Sequence, residues 1–373
     1  MSSSSDLSSS LTQSQQSYLT TLGWTPIHQA EWELGEFPNG HLPARVIGER
    51  PPGVLVRDAF GNDRIAIVPG KWRHEARGRD DLPAIGDWLV IEIHELDGPV
   101  PIRFLFPRKS CLKRKAAGRT EAQIIAANVD MGFIVTSLNS DLNLRRLERY
   151  LAVVWESGAQ PAILLSKADL CSNAEALVEQ VAAIAPGVPI IPFSSMTEDG
   201  SKQVEALLKP GGTFVVIGSS GVGKSTLVNR LHGSQVMETG GIRLDDEKGR
   251  HTTTSRELFL LSNGSILIDT PGMRELGLWE AQEGVSIVFE DIEEIAQRCR
   301  FTDCHHHDEP DCAIREALES GALDADRYAS YVKVSRELAF QARKLDKAAS
   351  SEQRQKWKAI AKSQRQQRKE RGR

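Results

Sequence analysis

Eight residues, Gly218-Ser219-Ser220-Gly221-Val222-Gly223-Lys224-Ser225, follow the spacing G-x-x-x-x-G-K-[ST] of a phosphate-binding loop. The glycines let the backbone wrap an anion with its N–H groups turned inward. Lys224 brings a point charge to the β- and γ-phosphates, and the Ser225 hydroxyl suits Mg2+. An apolar strand, Phe214–Ile217, leads into the loop. Thr226–His232 should then be a helix whose positive end faces the phosphates. A Gly-rich turn of no function would leave the Lys-Ser pair unexplained.

Further groups extend this chemistry. Asp269-Thr270-Pro271-Gly272 follows the apolar run Ile266–Ile268. A carboxylate there can hold Mg2+ through water, and the Gly272 N–H can meet a γ-phosphate. Ser166-Lys167-Ala168-Asp169 closes another apolar run and is similar to the guanine-recognition motif N-K-x-D. Asp169 accepts from guanine N1–H and the 2-amino group, a donor pair adenine lacks. The Lys167 stem covers the base, and Ala168 completes the turn. Ser166 stands where Asn is usual, and its shorter hydroxyl should weaken the bridge to the phosphate loop. Ser194 and Ser195, after Phe193, resemble the loop whose backbone N–H reads guanine O6. Between the phosphate loop and Asp269, the stretch Gly249–Thr254 offers Thr252, Thr253 and Thr254. Thr253 is the choice for completing the Mg2+ shell when a γ-phosphate is present. Met273 stands where a water-orienting Gln is common, so intrinsic hydrolysis should be slow, and His251 is the candidate to orient the water. The nucleotide-binding groups thus come in the order guanine motif, phosphate loop, threonine loop, Asp269. Binding depends only on their assembly in space, so a circularly permuted chain can build the same pocket.

Cys299, Cys304, His306 and Cys312 offer three thiolates and an imidazole within fourteen residues. That donor set suits tetrahedral Zn2+, and four protein ligands make the ion structural rather than catalytic. His305 and His307 flank the chosen histidine as alternates.

These groups need elements to hold them. Short strands punctuated by Gly and Pro, such as Ala44–Ile47, Gly53–Val56 and Asp87–Ile93, predict a small barrel of the five-stranded OB type over residues 39–110. Over 111–282 apolar strands (131–136, 161–166, 189–194, 214–218, 266–269) alternate with helical segments such as 142–156. That is the pattern of βα units on a mostly parallel sheet, with a hairpin through Ser262-Asn263-Gly264. Residues 283–342 should form a helical zinc-binding module that lacks a large core of its own. The polar, Ser-rich start is expected to be a disordered leader, with its lead-in reaching residue 38.

The 373 residues carry a net charge of −4, but residues 343–373 alone sum to +9 and the rest to −13. A basic tail on an acidic body favours an anionic partner. No apolar run approaches the ~18 residues of a membrane span, no secretory signal opens the chain, and the five cysteines are odd in number and clustered. A soluble protein of a reducing cytoplasm is expected. Asp169 separates a GTPase from an ATPase or kinase with the same loop, and Lys224, Ser225 and Asp269 separate it from a scaffold with a vestigial site.

Taken together, the chain resembles the ribosome-small-subunit-dependent GTPase A family. Further matches are Pro107–Ser110, Ala126–Asp130, Asn143–Tyr150 and Glu309–Ala313. The resemblance covers roughly 40–335. It implies an OB barrel, a circularly permuted GTPase domain and a zinc domain, with GTP and Mg2+ as ligands. It also implies GTP hydrolysis stimulated by the small ribosomal subunit late in that subunit's maturation, in the bacterial cytoplasm. The barrel and zinc modules would grip ribosomal RNA and the chain would act as a monomer. Because the strand ending at Asp269 leads almost directly to the zinc module, movement near Gly272 is expected to reach an RNA-binding surface.

Overall fold

Two capping boxes begin the folded chain. Helix α1 (Gln13–Thr21) starts where Thr12 accepts from the Gln15 N–H and the Gln15 side chain accepts from the Thr12 N–H. Helix α2 (Pro26–Leu34) repeats the device with Thr25 and His28, and proline sits at its first position. Leu19, Leu22, Trp24 and Trp32 are buried against Trp88 and Phe106. The leader expected to be disordered to about Tyr18, with a lead-in to residue 38, is therefore corrected from residue 10 on: two short helices cap the module that follows. The structure is a computed structural model. It describes residues 10–76, 78–94, 98–115, 122–139, 142–194, 198–234, 257–269, 281–306, 309–340 and 342–343.

Five strands form a closed barrel: β1 (His41–Arg50), β2 (Gly53–Asp58), β3 (Asp63–Ile67), then helix α3 (Gly70–Glu75), β4 (Trp88–Glu92) and β5 (Val100–Leu105). The order around the barrel is 1-2-3-5-4, and β1 pairs with β4 to close it. Only the β3–β5 contact is parallel. Alternate residues Ala44, Val46, Val56, Leu89 and Ile91 fill the interior, as the two-residue strand period requires. The OB-type expectation holds.

A separate hairpin, β6 (Cys111–Lys115) with β7 (Ala122–Ala127), links the barrel to a sheet of six strands. In chain order that sheet uses β8 (Met131–Ser137), α4 (Leu144–Glu156), β9 (Gln160–Ser166), α5 (Ala174–Ile184), β10 (Ile190–Pro192), α6 (Glu198–Leu207), β11 (Thr213–Gly218), α7 (Lys224–His232), β12 (Glu257–Leu260) and β13 (Ile266–Asp269). Spatial order is 10-9-8-11-13-12, parallel except for β12, which pairs antiparallel with β13 across the 262–264 turn. Strand β11 returns to the centre, between β8 and β13. Near-continuous burial along β8, β9 and β11 reflects helices on both faces.

Helices α8 (Gln282–Val288), α9 (Glu290–Ala296), α10 (Ala313–Glu319) and α11 (residues 325–340) follow the sheet. Helix α8 lies against α4 so closely that a Cβ on Gly284 would fall 2.0 Å from the Ala152 carbonyl oxygen. Behind it, Glu148 of α4 is 2% exposed and accepts from Arg327 at 3.1 Å and Ser330 at 2.5 Å. Arg327 also grips Asp291 of α9. A bidentate pair, Arg149 with Glu337, extends the same seam. The C-terminal helices are thus fastened to α4. The expected link through Gly272 lies outside the described residues.

Candidate nucleotide site and metal centre

Strand β11, buried along its whole length, delivers the chain to Gly218. A Cβ here would sit 2.2 Å from the Val135 carbonyl oxygen, so only glycine lets the loop leave the sheet at this point. Ser219, Ser220, Gly221 and Val222 form the turn, and Gly223 (φ 93°) begins α7 in a left-handed conformation suited to glycine. Lys224, Ser225 and Thr226 occupy the first turn of α7, with its N–H groups toward the loop. The Lys224 ammonium folds back over the loop and donates to the carbonyls of Gly218, at 2.8 Å, and Ser219. An ammonium on two carbonyls at the mouth of an amide-lined turn is placed to exchange those partners for phosphate oxygens.

The guanine-type motif leaves the end of β9, two strands away. Ser166 is 2% exposed, and its hydroxyl donates to the Val222 carbonyl at 2.7 Å. Its oxygen also lies 3.2 Å from the Thr136 carbonyl, but one proton serves one good bond. The bridge expected to be weak is therefore made, and made directly to the phosphate loop. Lys167 (φ 59°) turns the chain into the short helix Ala168–Leu170, which leaves Asp169 exposed. The Ala168 N–H donates to the Phe193 carbonyl, which ties this motif to the buried Ser194 after β10. Asp269 ends β13 beside β11, so it shares one sheet edge with Gly218, Ser166 and Ser194. That edge is the carboxyl end of a parallel sheet, where open α/β folds bind ligands. Ser195, His251, Thr253 with its neighbours, and Gly272 lie outside the described residues.

The four candidate zinc ligands come together on the C-terminal helices. Their ligand atoms all lie within 4.8 Å of one another. Cys299 follows α9, Cys312 caps α10, and His306 adopts a left-handed conformation (φ 60°) between them. His306 Nδ1 lies 3.6 Å from Cys299 Sγ and 3.5 Å from Cys312 Sγ. Tetrahedral bonds of ~2.3 Å to sulfur and ~2.05 Å to nitrogen place those atoms about 3.6 Å apart. The residues fit zinc. Desolvation, with the adjoining thiols, pushes Cys304 up to about 11, a cost that a metal cation in the cluster would reverse. His305 is outside the cluster, and His307 lies outside the described residues.

Residues that the motif reading left without a role gather at the barrel–sheet junction. Arg108 forks onto buried Asp87, and Asn128 (φ 56°) donates to the Gly86 carbonyl at 3.0 Å. In the sequence Arg108 and Asn128 stand within the family matches Pro107–Ser110 and Ala126–Asp130, which gave them no individual role.

A closed barrel, a permuted sheet with a phosphate loop and the Ser166–Asp169 turn at one edge, and a Cys3His helical module define a circularly permuted P-loop GTPase. The family model described as RsgA GTPase matches residues 105–279. The chain is 48% identical over 322 residues to "Small ribosomal subunit biogenesis GTPase RsgA 1" of Oceanobacillus iheyensis, covering 86% of this chain and 92% of that one. This protein belongs to the RsgA GTPase family and is a GTP-hydrolysing enzyme. Among solved structures, YjeQ from Thermotoga maritima is 26% identical with a TM-score of 0.59, covering 80% of this chain and 99% of that one. YloQ, a circularly permuted GTPase, is 25% identical with a TM-score of 0.57, over 80% of this chain and 96% of that one. A model for ABC transporters also matches residues 201–368, a span that includes the phosphate loop. Among the described residues no helix is long and apolar enough to cross a membrane.

Proposed function

We propose that this protein binds the small ribosomal subunit and hydrolyses GTP in a subunit-stimulated manner during late subunit maturation. The observation that carries the reading is the meeting of Ser166, Asp169 and the 218–226 loop at one sheet edge, in a chain that belongs to this family. Gly218–Thr226 cradle the phosphates, and Lys224 neutralises developing charge on the γ-phosphate. Asp169 and Lys167 hold guanine, with Ser194 and Ser195 toward its O6. Ser225, Thr253 and Asp269 would hold Mg2+, which would supply positive charge against the phosphates. Gly272 meets the γ-phosphate, and His251 orients the attacking water once a partner fixes its loop. Cys299, Cys304, His306 and Cys312 would hold one structural Zn2+, fixing the C-terminal helices. The barrel and that module take ribosomal RNA on either side of the GTPase, and the basic tail from Arg343 adds phosphate contacts that fade with salt. The protein works as a cytoplasmic monomer.

The test is phosphate release from GTP, and from ATP, with and without purified small ribosomal subunits. GTP-selective stimulation is expected. GTP binding without any stimulation would remove the ribosomal partner from the reading and leave the nucleotide site standing.

A further inference from the structure

Three parts of the molecule meet around one arginine. Arg45, on barrel strand β1, is 1% exposed. Its guanidinium donates to the Leu22 carbonyl in the α1–α2 turn, to the Gly86 carbonyl of the barrel at 3.4 Å, and to Thr213 Oγ1 at 2.8 Å. It stacks over Trp88, 5.5 Å from the ring. None of those bonds goes to a carboxylate. Burial lowers the Arg45 pKa to about 10, offset by the more distant Asp130 and Asp87, so the group stays charged at neutral pH.

Thr213 is the first residue of β11, the strand that ends in the phosphate loop at Gly218. It is held from every polar atom. Its hydroxyl takes Arg45, its N–H donates to Asp130 Oδ2 at 2.8 Å, and its carbonyl accepts from the Asp130 N–H at 2.7 Å. Asp130 in turn takes Lys109 at 2.5 Å, just past the barrel. The backbones themselves touch here. A Cβ on Gly23 would fall 2.7 Å from the Arg45 guanidinium and 2.9 Å from the Gly211 carbonyl oxygen, and one on Gly86 would fall 2.2 Å from the Ala127 carbonyl oxygen. Such contacts leave no play between the α1–α2 cap, the barrel and the root of β11.

The geometry points to Arg45 as a positioning residue that locks the N-terminal cap and the barrel onto the root of the phosphate-loop strand through Thr213, so that binding at the barrel is felt at the nucleotide. The functional half of this inference rests on the subunit-stimulated activity proposed above; the structural half stands apart from it. Coupling of this kind requires a discrete contact that both sites bias, and a buried charge with fixed partners supplies one.

Thr213→Val keeps the shape of the side chain and removes the acceptor, whereas Thr213→Ser keeps the acceptor. Arg45→Met is the second variant, should Thr213→Val fold poorly. Hydrogen exchange on the full chain reads the joint. In Thr213→Val and Arg45→Met, amides of residues 22–24 and 213–218 should exchange roughly tenfold faster, and in Thr213→Ser they should not. In the same variants subunit-stimulated turnover should fall several-fold while turnover without subunits holds. Unchanged exchange in both Thr213→Val and Arg45→Met, or Thr213→Ser behaving like Thr213→Val, overturns the joint. Parallel loss of stimulated and unstimulated turnover overturns the coupling. If the unsubstituted chain shows no stimulation, the proposed function fails, and the exchange data still decide the joint.

Discussion

Removing the Ser166 hydroxyl should loosen nucleotide binding without changing which base is preferred. The hydroxyl is the direct tie between the base-reading turn and the phosphate loop, 2.7 Å from the Val222 carbonyl in an environment closed to water. Ser166→Ala deletes the donor and leaves a buried acceptor short of a partner, a change of about 1–3 kcal/mol. The tie fixes the spacing of the two loops, so in its absence nucleotide binding must hold that spacing by itself. Full expression of the lower bound in affinity is about fivefold, and about 1.4 kcal/mol is tenfold. Titration with a fluorescent GDP, with dissociation followed in a stopped flow, reads the effect. A Kd for GDP raised about five- to tenfold, mostly through faster dissociation, is expected. Ser166→Thr should keep the tie and the affinity. The GTP-to-ATP preference should not move, because Ser166 joins loop to loop and leaves base recognition to Asp169. A GDP affinity within twofold of the parent in Ser166→Ala would refute the reasoning.

Asp169→Asn should weaken GTP by about 1–3 kcal/mol and lower the GTP-to-ATP ratio, since an amide meets the guanine donors with an N–H; an unchanged ratio in competition binding would count against Asp169 as the base reader. Cys312→Ser, or chelation, should remove one zinc per chain by elemental analysis and melt the C-terminal helices while GDP binding persists. Retained helix without metal would mean the module folds on its core alone. Gly284→Ala forces a methyl into the Ala152 carbonyl oxygen and should cost at least ~1–3 kcal/mol in denaturant unfolding, against little change for Gly70→Ala, which has open space and no positive φ. Acid should detach the N-terminal cap. His28 is 4% exposed, and its Nδ1 accepts from the Thr25 N–H at 3.2 Å. Desolvation, with Lys109 and Arg45 nearby, lowers its pKa to about 4. A depressed histidine stabilises the fold above its unfolded value of 6.5, and that share, up to ~3 kcal/mol, is lost as pH falls from 6.5 toward 4. Tryptophan fluorescence of Trp24 and Trp32 should report the change, and a His28→Gln chain should show a flatter pH slope; equal slopes in the two chains would exclude His28 as the cause.

Much of the sheet was legible because its strands are buried on both faces and read as unbroken apolar runs, as in 131–136 and 161–166, with Asp269 and Ser166 at their ends. The zinc cluster was legible because four metal donors within fourteen residues have few other uses. The N-terminal helices were missed for a physical reason. Serine and glutamine lower the mean hydropathy of the segment, while the caps at Thr12 and Thr25 and the apolar set Leu19, Leu22, Trp24 and Trp32 spread over two helices with no single long period. That the Ser166 hydroxyl reaches the phosphate loop was not legible, because reach depends on how near the partner loop comes. Side-chain length alone does not give that distance. Arg45 carried no signal at all: in sequence it is one charge within a strand, and only the fold brings Leu22, Gly86 and Thr213 to it.

The barrel has one more consequence for the sheet beside it. An outermost strand normally shows a row of open N–H and C=O groups, a template on which another chain can add. Here β12 is that strand, and barrel strand β1 lies against it, paired at Gly48 and Glu257 and clipped by Arg50 to Glu257 at 3.2 Å. The opposite border, β10, is three residues long and ends in Pro192, which has no N–H to offer. The sheet is thus closed off at one border by its neighbouring module and at the other by brevity and proline, so stacking of one molecule onto the next along these strands is disfavoured. Cutting the barrel away to study the GTPase alone would uncover β12, and such a fragment should aggregate where the whole chain does not.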